Sequence, residues 1–258
     1  MAVFASTLPV AQRAPRFHFH IAAALCATGF LGFAPTYWVP LFQGALQLPP
    51  LVHLHAALFY GWLLMHLRQS WLAGSGQIAR HREWGMAGIA LASGMCFVGI
   101  ATGINSVHRS AAVSESAAEA ARRFLIVPVT GAFVFAVLFG LAVVYVRKPE
   151  IHKRLLLCAT ASMLQAAIGR WFALFLAPNS VATGGVEPPP VVFTVAPGLL
   201  SNLFIIAGMI YDRRHRGSVH PAYWGALGFI LFFQLIRVPL APTAAWAKVT
   251  DWILALAP

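Results

Sequence analysis

The run FLIVPVTGAFVFAVLFGLAVVYV, from Phe124 to Val146, decides the fold: it spans 23 residues without one charged side chain. A bilayer core about 30 Å thick is crossed by about 20 apolar residues in a helix. Inside lipid, backbone N–H and C=O groups must be satisfied within the segment, which leaves the helix as the conformation for so apolar a run. Working outward from it, six more stretches have this character, at about 18–41, 50–73, 84–106, 154–177, 191–211 and 221–241. Apolar residues make up 59% of the chain and charged residues 10%, with a mean hydropathy of +0.74. That balance excludes an ordinary soluble domain. The expectation is an all-α fold, with residues 1–258 forming a single polytopic bundle of seven transmembrane helices.

The basic residues set the expected orientation. Twelve of the eighteen fall before the first stretch, in the connections two–three, four–five and six–seven, or, as Arg68 and Arg154, at the span ends beside those connections. By the positive-inside tendency this side is cytoplasmic, so the N-terminus is cytoplasmic and the C-terminus external, in a bacterial cytoplasmic (inner) membrane. The net charge of +11 is mostly this collar, which anionic membrane lipid would attract; no nucleic-acid partner is needed to explain it. The apolar run from Phe17 is too long for a signal-peptide core, which makes it an uncleaved first span. Cys26, Cys96 and Cys158 lie within spans and read as small buried hydrophobes.

Local signals add detail. Ser116 and Glu119 have capping-box spacing and open an Ala-rich segment ending in Arg122 and Arg123, which predicts a short helix on the external face. The loop Pro178–Pro190, with Gly184 and Gly185, predicts an irregular external strap. The third stretch is rich in glycine, with a GxxxG step from Gly99 to Gly103, and is expected at the centre of the bundle. Pro35, Pro197 and Pro239 interrupt three spans, and each frees a carbonyl that needs another donor. No inverted repeat of the kind found in secondary transporters is visible.

Two arginines, Arg170 and Arg237, fall inside apolar stretches, while all seven acidic residues lie in loops or at span ends. An arginine at mid-bilayer costs roughly 2.5–3.5 kcal/mol, so its counter-charge must come from water, backbone carbonyls or a bound anion. In the second stretch His55, Phe59, Trp62, His66 and Gln69 share one helical face. His55 and Gln234 lie at the depth of the arginines. A ligand site of Arg170, Arg237, His55, Trp62 and Gln234 is therefore expected, against the plainer alternative that the arginines snorkel to headgroups. Asn202 and Gln165, nearer mid-depth, are expected to join helices.

Other chemistry is narrowed by absence. None of the three lysines is mid-span, which argues against a retinal Schiff base. The histidines lack helical di-metal and HExxH spacings, and no nucleophile elbow or phosphate loop occurs. A haem remains open, with His55 and His66 as candidate ligands: low-spin b-type haem needs two axial histidines, which would pair His66 with a span-end histidine such as His20 or His152, or His55 with His108, whereas a five-coordinate haem or a chlorophyll-type macrocycle needs one.

Four segments carry a resemblance: HAALFYGWLLMHLRQSWLAGSGQIARHREWGMAG from His55 to Gly88, HKRLLLCATASMLQAAIGRW from His152 to Trp171, YDRRHRGSVHPAYWG from Tyr211 to Gly225, and QLIRVPLAPTAAW from Gln234 to Trp246. Together they resemble a widespread family of uncharacterised bacterial membrane proteins. The resemblance implies a seven-helix architecture and no catalytic residue. Its architecture is also loosely similar to small membrane b-type cytochromes. The resulting expectation is a membrane protein without autonomous catalytic activity that binds an anionic or amphipathic ligand on the external side, or serves other membrane subunits as an accessory. A haem- or pigment-binding electron-transfer component and a small-solute transporter are the alternatives.

Overall fold

Every expected apolar stretch is helical in the computed structural model, which describes residues 17–176 and 188–256. The helices are α1 (Phe17–Gly32), α2 (Pro50–Gly74), α3 (Ile78–Ala111), α4 (Glu115–Phe124), α5 (Ile126–Val144), α6 (Pro149–Met163), α7 (Gln165–Leu176), α8 (Val195–Ser201), α9 (Leu203–Arg216), α10 (Pro221–Leu240) and α11 (Ala244–Ala255). No strand occurs among the described residues. Five helical segments are long and apolar enough to cross a membrane: Ile78–Ala111, Glu115–Val144, Pro149–Leu176, Val191–Arg216 and Pro221–Leu240. Taken as one span, α1 together with its continuation Ala34–Phe42 makes a sixth. The length of α2 suffices, but it is not among these; its sequence carries three histidines, Arg68 and Gln69. Large apolar side chains including Leu64, Phe97, Phe133, Phe232 and Leu235 point outward. This is the surface of a helical integral membrane protein.

Local sequence explains where the helices stop and bend. After Phe33 the chain makes a π-helical turn over Ala34–Trp38, and the two parts of the first segment meet at 42°. Pro35 lacks an N–H, and the Phe33 carbonyl takes the N–H of Tyr37 at 2.9 Å. Helix α9 ends at Gly217, whose φ of 74° is a conformation that side chains disfavour. Helix α4 is the predicted short helix, but its N-cap is Ser114, which accepts the Ala117 N–H at 3.1 Å; Glu119 pairs with Arg123 instead of closing a capping box.

Two breaks repeat one device. Between α6 and α7, the Ser162 hydroxyl donates back to the Ala159 carbonyl at 2.8 Å. Between α8 and α9, the Ser201 hydroxyl donates to the Gly198 carbonyl at 2.7 Å. Each hydroxyl draws a carbonyl of the preceding turn toward itself, and such back-bonding bends helices. The chain then resumes helically at Gln165 and at Leu203.

The glycine-rich third stretch is not the centre. Only 22% of the apolar window of Ile78–Ala111 is buried, against 50% for Pro149–Leu176. The small residues of α3 instead leave room for others: Phe59 lies beside Gly99, and Leu125 and Pro128 press on Gly103. Helix α6 holds the middle, with Leu155, Leu157, Cys158, Ala159 and Ala161 buried. Where α1 crosses α7, a Cβ on Gly32 would come within 2.6 Å of the Ala167 backbone. The two helices therefore touch main chain to main chain.

Most of the predicted strap, and with it Gly184 and Gly185, lies outside the described residues, as do Arg13 and Arg16.

Candidate functional site

The bend in α1, the small residues of α3, α5 and α7, and the cap of α2 enclose a cavity of about 840 Å³. Its wall is built from Phe33, Thr36 and Tyr37 of the bend, His55, Phe59 and Trp62 of α2, Met95 and Gly99 of α3, Ala132 and Phe135 of α5, and Gln165 and Arg170 of α7. The open volume follows from residue size: Gly99, Gly103, Gly131, Ala132, Ala166 and Ala173 all line it. The cavity lies toward the end of the bundle that carries residues 43–49 and 112–114, with Gln47 and Arg109 in its lining.

Arg170 is the chemically distinctive member. Its guanidinium carbon sits 5.3 Å from the centre of the Phe33 ring. No hydrogen bond joins it to another described residue. Arg109 also lines the cavity, and among the described residues it has no ion-pair partner and no carboxylate lines the space. A cationic, otherwise mostly apolar cavity is a place where an anionic group gains interaction at little competing cost. His55 stacks on Phe59 at 4.0 Å, and its Nδ1 has no hydrogen-bond partner. Trp62 is fixed at the floor by donating from Nε1 to the Thr160 hydroxyl at 3.2 Å.

The five residues expected to form one site are divided. Arg170, His55 and Trp62 line the large cavity. Arg237 and Gln234 lie behind it, around a void of about 10 Å³, room for roughly one water. Arg237 is 1% exposed and donates to Gln165 Oε1 at 2.9 Å and to the Thr194 carbonyl at 3.1 Å. Gln234 accepts from Asn202 Nδ2 at 2.8 Å, and its Nε2 donates to the Gly198 carbonyl. Main-chain carbonyls at Thr194 and Gly198, ahead of the second break, are thus also acceptors for side chains of α10. Gln165 lines both spaces and is the link between them.

His55 and His66 do not face one another. Eleven residues of one helix separate them, about 16 Å along its axis. His66 is buried under Trp62 with His18 and His152 nearby. Among the described residues the cavity lining holds His55 but not His108, the span-end partner expected for it, whereas His152, one of the two expected for His66, lies near that residue. Among the described residues no group of three or more His, Cys, Asp or Glu is placed to hold a metal ion.

The sequence reading missed a buried ion cluster at the opposite end. Arg154, assigned to the basic collar, is 1% exposed, and Asp212, assigned to a loop or span end, is fully buried. Arg154 Nε donates to Asp212 Oδ2 at 2.8 Å and Nη2 to Oδ1 at 2.5 Å, a two-pronged pair. Glu150 accepts from Arg154, Lys153 and Arg216. Asp212 Oδ2 also receives the His220 backbone N–H at 3.1 Å.

Comparisons with protein-family models, with curated proteins and with solved structures give no match. The functional reading therefore rests on the site itself.

Proposed function

We propose that this chain is a seven-span protein of the bacterial inner membrane, N-terminus cytoplasmic and C-terminus external, that binds an amphipathic ligand bearing an anionic group. The site is the large cavity, reached from the external side. Arg170 meets the anion, His55 stands beside it, and Trp62 receives the apolar part. Arg237 and Gln234 act indirectly, by holding Gln165 and the second helix break in place.

One observation carries this reading. Two guanidiniums line a large apolar cavity to which no described residue contributes a carboxylate. Arg154, by contrast, shows that this fold supplies a buried arginine with an acid where charge balance within the chain is wanted.

Native mass spectrometry of the protein released from nanodiscs tests it. The wild type should carry an anionic amphiphile, and Arg170→Gln should lose it; equal occupancy in the two proteins would discard the reading. The same preparation should be colourless, since a Soret band would replace the proposal with the haem alternative. A stoichiometric partner protein without bound amphiphile would favour the accessory-subunit role. Reporter fusions at residue 258 that are active only in the cytoplasm would overturn the orientation.

A further inference from the structure

We infer that the cavity is a binding slot for an elongated amphiphile, with its anionic head at Arg170 and its apolar end beside Trp62, Met95 and Phe135. This rests on the reading above and adds the shape and polarity of the ligand. The shared chemistry is an anionic head on one long hydrocarbon body, whether the head is a carboxylate or a phosphate.

The lining extends well along the helices. The span Pro149–Leu176 lines the cavity from Thr160 to Arg170, ten residues, or about 15 Å of helical rise. Helix α3 lines it from Met95 to Arg109, about 21 Å by the same rise. A compact polar solute would occupy one end of such a space and leave the rest empty. A hydrocarbon body fills it.

The polarity along the slot also changes in one direction. Arg109, Asn105 and Thr102 occur on the upper part of α3, and Met95 at its lower end. On the neighbouring span Arg170 and Gln165 stand above, and at the floor the hydrogen-bonding groups of Thr160 and Trp62 are bound to each other. The lower part of the slot therefore offers an apolar contact surface, and the charged donors lie above it. An amphiphile has one matching orientation, head up and chain down. A bilayer-spanning or neutral apolar molecule would leave both guanidiniums without an anion.

Trp62 makes the inference testable, because a bromine atom in contact with an indole quenches its emission. The probes are α-bromo- and ω-bromohexadecanoic acid and ω-bromohexadecyl phosphate, added to the protein in nanodiscs of neutral lipid. The Trp62 signal is the difference between wild type and Trp62→Phe. The ω-bromo acid or phosphate should quench that signal and the α-bromo acid should not; the head that binds more tightly identifies the source. Bound probe, confirmed by native mass spectrometry, with equal or no quenching from the two positions would overturn the slot while leaving the ligand site standing. Failure of every anionic probe to bind would instead defeat the site itself.

Ala132→Phe gives a second readout if Trp62→Phe fails to fold. Ala132 lines the cavity, and a phenyl group there should shorten it. Hexadecanoate should bind about tenfold more weakly, as excluding roughly two methylenes from burial implies, with octanoate little affected. Equal weakening of both chain lengths, or none, would show that the chain does not reach the floor.

Discussion

Arg154 and Arg170 stand at opposite ends of one span and have opposite surroundings. Arg154 is held by Asp212 and Glu150, every contact internal to the chain. Arg170 has an aromatic ring at 5.3 Å and an open cavity. Arg237 lies between these extremes, buried among neutral oxygens. The difference separates a cation that assembles helices from a cation with no acceptor among the described residues. Burial alone does not distinguish them; the acceptors do.

The comparison breaks most easily at its structural pole. Asp212→Asn leaves a buried guanidinium short of charge and should cost about 3–5 kcal/mol. Replacing both partners, as Arg154→Met with Asp212→Leu, should cost clearly less, because no lone charge remains. Thermal unfolding in one detergent checks both, and an Asp212→Asn protein as stable as wild type would remove the contrast. Next in size is Gln165→Leu. It takes away the side-chain acceptor of Arg237 and should destabilise by about 1–3 kcal/mol, the cost of a buried polar group left unpaired.

A smaller effect concerns pH. His220 caps α10 by accepting the Ala222 N–H at Nδ1, 3.1 Å away. Burial, and then Arg154 and Arg216, hold its pKa below the ordinary value. The folded protein thus binds fewer protons there than the unfolded chain. The contribution of His220 should be complete above about pH 6.5, the ordinary histidine value, and fade as the pH falls below it. His220→Asn, which keeps a capping acceptor, should flatten that slope; an unchanged pH profile would show that His220 is not its source. The smallest expected effect is at the functional pole. Arg170→Gln should leave the unfolding midpoint of ligand-free protein unchanged or slightly raised, since it removes a charge with no ion-pair or hydrogen-bond partner among the described residues. A large loss of stability would make Arg170 a structural residue like Arg154.

Much of this was legible beforehand, and the exceptions have physical causes. Hydropathy located the long apolar helices because lipid demands contiguous apolar length, but it gave no sign of α11, past the last apolar stretch. The ends of α3 were underestimated, since Arg80, His81, Arg82 and His108 extend a helix past the apolar layer without breaking it. Shared depth placed Arg170 with His55, yet depth says nothing about which way a side chain points around its helix. That is why Gln234 and Arg237 turned toward Asn202, Gln165 and Thr194 instead. Arg154 and Asp212 are 58 residues apart, each beside other charges, and no periodicity pairs them. The breaks after Ser162 and Ser201 were equally hidden, because a serine in a helix has the choice of bonding backward or outward.

The bare contact at Gly32 reaches further than its size suggests. With only the Ala167 methyl beside them, the Gly32 and Ala167 backbones space α1 from α7, and Phe33 and Arg170 follow that contact along the two chain segments. Even a single methyl group at residue 32 would wedge the pair apart and carry Arg170 away from the aromatic face on which it rests. The calibre of the cavity is thus set by a hydrogen atom.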